Sequence, residues 1–548
     1  MQNIVSREEM ETANGRHPSV FEPVPLALNV ILSVIGAIIG LQLITQLGIT
    51  ANTAIIGALV AMLAARIPVG FLRPFRSIHR QNLIQTGISG ATFGAANSLL
   101  LPMGIPFAIG RPDLVWPMLI GAAIGLFVDA WIMYRLFDSR IFPASGAWPP
   151  GIATAEAILA GDEGGRRARL LLWGTLIGLI GSILKVPMSA FGVAFIGNIW
   201  ALTMFGVGLL LRGYSQPLWG IDLNALYIPH GMMIGAGVVA LVQITLILLR
   251  RQGGESAVSD PGRYVGDWNG ELETTVDERT IGRVIASGFG LYIIGAVILA
   301  VIGGLVSEMS GGQIALWILF AAVAALVSEL IVGLSAMHAG WFPAFAVTLI
   351  FLVLGMLIGF PAVPLALLTG YTASTGPAFA DMGYDLKAGW LLRRREGSRG
   401  RAFELEGRRE QFRADLIAFV IAAAIVALVW PNYFDKDLIP PVDRVFAATI
   451  QAGVEDPTIM TKLLLAAIPG ALIQFLGGPS RQMGILLATG LLINMPLAGW
   501  AVLVGILLRV VITRRYGSEA ETPMSITAAG IIAGDALYSF FSSILKVR

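Results

Sequence analysis

A few ionisable side chains sit where an apolar chain would ordinarily avoid them. Glu156, Glu329, Asp381 and Asp385 fall in stretches built mostly of Ala, Gly, Ile, Leu and Val, and Lys387 follows closely. His230 and His338 stand beside Pro and Gly breaks, while Asp222, Asn224 and Gln85 add polar groups to neighbouring apolar runs. An ionised carboxylate near the centre of a bilayer is unfavourable by roughly 2.5–3.5 kcal/mol on insertion scales, so a carboxylate there marks a candidate site. Desolvation moves a carboxylic acid toward the range where it exchanges protons near neutral pH, and an imidazole starts there. A lysine ammonium could receive a carboxylate. Each type also has a plainer use: Asp381 and Asp385 could cap backbone, Lys387 could lock onto Asp385, and either histidine could complete a structural hydrogen bond.

The elements that must hold these groups read as interrupted helices. Residues 142–162, FPASGAWPPGIATAEAILAGD, contain Pro143, Pro149, Pro150, Gly146 and Gly151, all unfavourable inside a helix. The run that follows is shorter than the ~20 residues a membrane span takes. Such a half-helix is tolerated at membrane depth only when buried in protein or lining a wet cavity, and Glu156 sits in its middle. The stretch recurs at 523–535, with Pro150/Pro523, Thr154/Thr527, Ala155/Ala528, Ile158/Ile531 and a shared Ala-Gly-Asp ending at Asp162 and Asp535. Upstream, Ala108/Ala488, Gly110/Gly490, Gly125/Gly505 and Arg135/Arg515 align at nearly the same offset. Duplication predicts that both copies are short or broken helices near the centre; if inverted, their Asp ends face opposite sides. Corresponding interrupted segments in repeats point to a transporter's binding site. Residues 213–237 and 361–392 are broken in the same style, and GIDLNA (220–225) resembles GYDLKA (383–388), hinting at a further copy.

Composition sets the class. The chain has 548 residues, 56% hydrophobic and 13% charged, with mean hydropathy +0.76, against ~25% charge in an average soluble domain. That predicts an all-α polytopic membrane protein in a lipid bilayer. A net charge of +2 gives no reason to expect nucleic acid, and the absence of Cys excludes disulfides and thiolate metal sites. The polar 1–23 tail carries no signal-peptide pattern, so the first apolar helix is expected to direct insertion.

In chain order, 24–49 and 53–67 read as an opening helical hairpin, followed by Arg66, Arg73, Arg76 and Arg80. The positive-inside rule puts that loop and the N-terminus in the cytoplasm. The next helix, beginning RQNLIQT at 80–86, is too polar to face lipid and should face the bundle interior. It would serve either helix–helix hydrogen bonding or a substrate path. Residues 114–136 carry Asp129. The hydrophilic 251–280 divides an N-terminal membrane half (24–250) from a C-terminal half (281–548). The arginine-rich 393–413 reads as a cytoplasmic loop and 431–457 as an external one. With broken segments included, about 14–16 membrane elements fit the length rule.

Several motifs together resemble the oligopeptide transporter superfamily, which includes the yellow-stripe-like metal-chelate transporters. They are RQNLIQT at 80–86, GIATAEAIL at 151–159, FADMGYDLKAGWLL at 379–392 and AAGIIAGDAL at 528–537. The D-x-K-x-G signature of Asp385, Lys387 and Gly389 is the most specific of these. The likeness runs from roughly residue 25 to 545, and the length resembles the prokaryotic branch. The resemblance implies proton-coupled secondary transport, in the cell membrane, of oligopeptides, their derivatives or metal–chelator complexes, without a cofactor; a homodimer is left open.

Proton coupling needs a titratable group reached from each side in turn, and Glu156 and Glu329 are the first candidates, with Asp381, Asp385 and His338 behind them. Other classes fit less well. HExxH and nucleophile motifs of an intramembrane enzyme are missing, and so are a P-loop and the soluble domain of an ATP-driven pump. Four histidines, two of them (His17 and His79) expected in loops, leave no His-rich metal centre. A channel or facilitator for a small polar solute or ion remains the alternative, because broken helices also serve pores.

Overall fold

The structure is a computed structural model and describes residues 16–47, 77–163, 165–249, 274–340, 343–395, 400–452, 458–478 and 481–546. The expected helix at 53–67, Arg66, Arg73, Arg76 and most of the 251–280 stretch lie outside the described residues. The described chain is helical throughout, apart from turns and one β-bridge between Phe137 and Phe142.

The helices are α1 (Pro23–Leu47), α2 (Ile78–Phe93), a π-helical segment (Gly94–Leu100), α3 (Leu101–Ala108), α4 (Val115–Leu136), α5 (Pro149–Glu163), α6 (Gly165–Ile183) and α7 (Met188–Ile196). Then come α8 (Ile199–Trp219), α9 (Ile228–Leu249), α10 (Glu278–Ile302), α11 (Gly311–Ala339), α12 (Ala344–Ile358), α13 (Ala362–Ala373) and α14 (Pro377–Arg395). The last are α15 (Gly400–Phe434), α16 (Pro441–Ala452), α17 (Ile459–Gly477), α18 (Met483–Leu492), α19 (Pro496–Tyr516) and α20 (Glu521–Lys546). Among the described residues, seven helical stretches are long and apolar enough to cross a membrane, and four shorter apolar helices accompany them. This is an all-α polytopic membrane protein.

The polar helix predicted to face the interior does so: every residue of α2 is buried, with α1, α14 and α15 packed around it. Its i, i+4 polar stripe has protein on all sides. The π-helical segment continues it, and α3 with Pro102 and Pro106 ends it.

The packing does not follow the two sequence halves. Helices α6–α9 pair with α17–α20, while α1–α4 pair with α10 and α13–α16. Helix α5 bridges the two groups, lying against α14 and α20. Glycines explain the first set of pairs. A Cβ on Gly174 or Gly178 of α6 would lie 2.2 Å from the carbonyl oxygen of Thr527 or Ile531 on α20, and Gly534 of α20 meets Thr175 O in the same way. Only bare Cα positions let two backbones approach so closely, and in lipid such contact is a main source of helix association.

Four expectations change. The arginine-rich 393–413 is mostly helix, because α14 runs to Arg395 and α15 starts at Gly400. Arg393 and Arg408 each bond Glu404 at 2.7 Å, so their charges are met inside the protein. The 431–457 stretch contains the end of α15 and the whole of α16, rather than a plain loop. The second copy of the repeated element, α20, is a continuous 26-residue helix whereas α5 has 15 residues; α20 is nevertheless largely buried over 525–536. Finally, GIDLNA lies in a surface turn after α8, while GYDLKA is buried inside α14, so that short likeness is not a shared structure.

Candidate functional site

The chain breaks between α13 and α14 at Ser374–Gly376, where Gly376 adopts φ +102°, a conformation open to glycine. A helix that starts inside protein leaves backbone N–H groups to satisfy. Asp129, projecting from α4, satisfies them: Gly376 N donates to both of its oxygens at 3.0 Å and Phe379 N to Oδ2 at 2.7 Å. The positive end of the helix also favours that carboxylate. Glu329, on α11, lies next to Asp129. The Tyr292 hydroxyl donates to Glu329 Oε2 at 2.5 Å, and Tyr371 of α13 donates to the Tyr292 carbonyl at 3.0 Å. Thr375 closes the break by donating to Ala325 O at 3.2 Å. Two fully buried carboxyls thus adjoin at an interrupted helix.

One turn further into α14 lies a second cluster. Asp381 and Asp385 are four residues apart and so share a helix face; Gln85 and Ser89 share the opposing face of α2. Ser89 Oγ donates to Asp381 Oδ1 at 2.7 Å, and Gln85 Nε2 bonds Asp385 Oδ1. The matching order reverses between the helices, so they run antiparallel. From α15, Gln411 Nε2 donates to the Asp385 carbonyl at 2.6 Å and to Thr86 Oγ1 at 3.2 Å. Asp415, one turn on, presses its carboxyl against Gly90, where a Cβ would lie 2.2 Å from Oδ1. Asp381, Asp385 and Asp415 are at most 2% exposed. Among the described residues, no group of three or more His, Cys, Asp or Glu is arranged to hold a metal ion.

The chain matches the family described as OPT oligopeptide transporter protein over residues 25–249 and 278–546. It belongs to the oligopeptide transporter family. No curated protein and no solved structure matches it.

The remaining candidates occupy separate places in this transporter. Glu156 on α5 makes a two-pronged ion pair with Arg167 of α6, at 2.8 and 3.0 Å, and Arg167 also bonds Glu163 at 2.9 Å. Lys387 turns away from Asp385. Its Nζ donates to the carbonyls of Ala144 and Gly146 at 2.8 and 2.9 Å and lies over the Trp390 ring. Lys387 is thus not locked onto Asp385 as foreseen; backbone oxygens of the broken 142–148 stretch hold its ammonium instead.

Asp222 and Asn224 lie in the turn after α8, with Asn224 exposed. The backbone N–H groups of Asn224 and Ala225, with Arg212 beyond, hold the Asp222 carboxyl below the usual carboxylate range. His230 opens α9 beside the Tyr227 ring, and His338 ends α11 just before Gly340. Neither histidine joins the two carboxyl clusters; His230 Nδ1 and His338 Nε2 have no hydrogen-bond partner among the described residues.

Sequence reasoning passed over Asp415 and Gln411, because 393–413 read as loop and the next span as starting after it. The available signal was spacing: Glu404, Arg408, Gln411 and Asp415 recur every three to four residues, a helical stripe of polar groups.

Proposed function

We propose that this transporter is a proton-coupled secondary carrier of oligopeptides, their derivatives or metal–chelator complexes, of the prokaryotic branch related to yellow-stripe-like carriers. It would work in the cell membrane with its N-terminus in the cytoplasm. The observation that carries the reading is the adjoining Asp129 and Glu329 carboxyls at the α13–α14 interruption. Two neighbouring buried carboxyls cannot both stay ionised at low cost, and sharing a proton relieves the repulsion. Asp129 is tied to the α14 N-terminus, which favours its charged form. Glu329 is then the member that takes the proton. Because Asp129 already fills the α14 N-terminus, a substrate carboxylate would bind elsewhere along the interrupted helices. Glu156 is a weaker candidate for coupling, since Arg167 meets its charge.

The test is reconstitution in liposomes under an imposed pH gradient, with peptides and metal chelates compared as substrates. Glu329→Gln should keep substrate exchange and lose pH-driven accumulation. Accumulation with wild-type pH dependence in Glu329→Gln would remove Glu329 as the carrier.

A further inference from the structure

We infer that Asp381, Asp385 and Asp415 form a second proton-binding site, separate from the Asp129–Glu329 pair, with exchangeable protons shared among the three carboxyls. Its role in coupling rests on the proposed carrier function; its existence follows from the packing of α2, α14 and α15.

The cluster holds more acceptors than its neighbouring donors satisfy. Asp381 Oδ2, Asp385 Oδ2, both oxygens of Asp415 and Gln85 Oε1 have no hydrogen-bond partner among the described residues. Gln85 is fully buried, and its amide is turned into the cluster by its bond to Asp385. Ser89 Oγ is engaged on Asp381, and Gln411 Nε2 on the Asp385 carbonyl and Thr86, which leaves the Tyr384 hydroxyl as a donor without a partner among the described residues. An ionised carboxylate can only accept, but a protonated one also donates. A bound proton would give each of these carboxyls a donor of its own.

No counter-charge is built in. Among the described residues, no cationic side chain bears on any of the three carboxyls. Lys387 on α14 is held by Ala144 and Gly146, and Arg393 and Arg408 are held by Glu404. Arg413 bonds Glu410, which also receives Ser19 and Val20, and Arg80 at the start of α2 bonds Glu22. His79, at that same end, packs on His17 and Phe403. On α5, Glu156 is paired with Arg167; on α4 and α11, Asp129 and Glu329 pair with each other and do not bear on the three. The phenol of Tyr384, buried and without a partner among the described residues, also lies within electrostatic reach of Asp381. Gly90 leaves room for the Asp415 carboxyl and for no side chain beside it.

Three buried ionised carboxyls without a counter-ion would each carry a large desolvation cost. Protonation removes it. Groups this close titrate as one unit, with apparent values that belong to the set. The proton comes from water and returns to water, so no redox partner is needed.

The test uses detergent-purified full-length protein and the infrared carbonyl stretch of protonated carboxyls, followed through a pH titration. The variants are Asp385→Asn, Asp415→Asn and Glu329→Gln, each checked for folding by thermal unfolding. We expect a titrating band that weakens in both Asn variants and keeps its cluster component in Glu329→Gln. The inference is overturned if the band is unchanged in both Asn variants. It is also overturned if replacing choline by sodium at constant pH removes the band, since a metal cation would then fill the cluster. The measurement needs no substrate, so failure of the carrier reading in liposomes would leave this result standing, and the reverse.

Discussion

Asp129 and Phe379 are 250 residues apart in the chain, yet the Phe379 N–H donates to Asp129 Oδ2 at 2.7 Å. One carboxylate on α4 therefore serves as the missing first turn of α14. That bond fixes where the interrupted helix begins and, with it, where Asp381 and Asp385 point.

Replacing this carboxylate should be costly in a graded way. Asp129→Ala leaves buried N–H groups of Gly376 and Phe379 without partners, at about 1–3 kcal/mol for each unsatisfied group. Asp129→Asn retains one acceptor oxygen and should lose less. Thermal unfolding in detergent is the measurement. Equal stability of Asp129→Ala and wild type would show that the cap does not hold α14.

Lys387 is predicted to be a fastener for the broken 142–148 stretch. Lys387→Met keeps the aliphatic stem and removes the donor, so the Ala144 and Gly146 carbonyls lose their partner. Cysteines placed at Ser145 should then react faster with a thiol reagent than in the parent. Unchanged labelling, together with lost transport, would instead favour a direct role of Lys387 with substrate.

For Glu156 and Arg167 a double-mutant cycle is decisive. Removing either partner alone leaves the other charge unpaired; for a fully buried pair that costs about 3–5 kcal/mol. Arg167 is partly exposed, so a smaller value is expected here. Glu156→Gln with Arg167→Gln should recover part of the loss and should retain pH-driven accumulation. Additive losses would mean that the two side chains do not act as a pair.

Gly178→Leu should separate α6 from α20, since its new side chain would meet the Ile531 backbone. Gly282, on α10, has nothing near its missing Cβ and makes a suitable control. Gly178→Leu is expected to lower the unfolding temperature and Gly282→Leu to leave it nearly unchanged. Similar behaviour of the two would count against the close crossing.

Much of this arrangement was legible in residue types and spacing. The polar stripe of α2 announced an interior helix, and Pro and Gly announced the break before α14. Pairings across the fold were not legible. Glu156 reads only as an acid in a broken helix, because nothing local says that the turn at Gly165, with φ +60°, brings Arg167 back onto it. Asp129 was visible as an acid in a span, but its partner lies in another part of the chain. Lys387 shows the opposite lesson. Residues two apart on a helix do not share a face, so spacing alone argued against a bond to Asp385. The interleaving of the halves through α6 and α20 depends on glycine contacts between distant segments, which composition cannot order.

In the proposed mechanism a proton gradient drives solute uphill through this protein. The most direct test is uptake by the purified transporter in liposomes with an acid exterior, followed with a labelled peptide and a labelled metal chelate. At least one should accumulate above its external concentration, and the excess should collapse when a protonophore removes the gradient. A substrate that only equilibrates, at the same level with and without the gradient, would rule out proton coupling and make the protein a facilitator or channel.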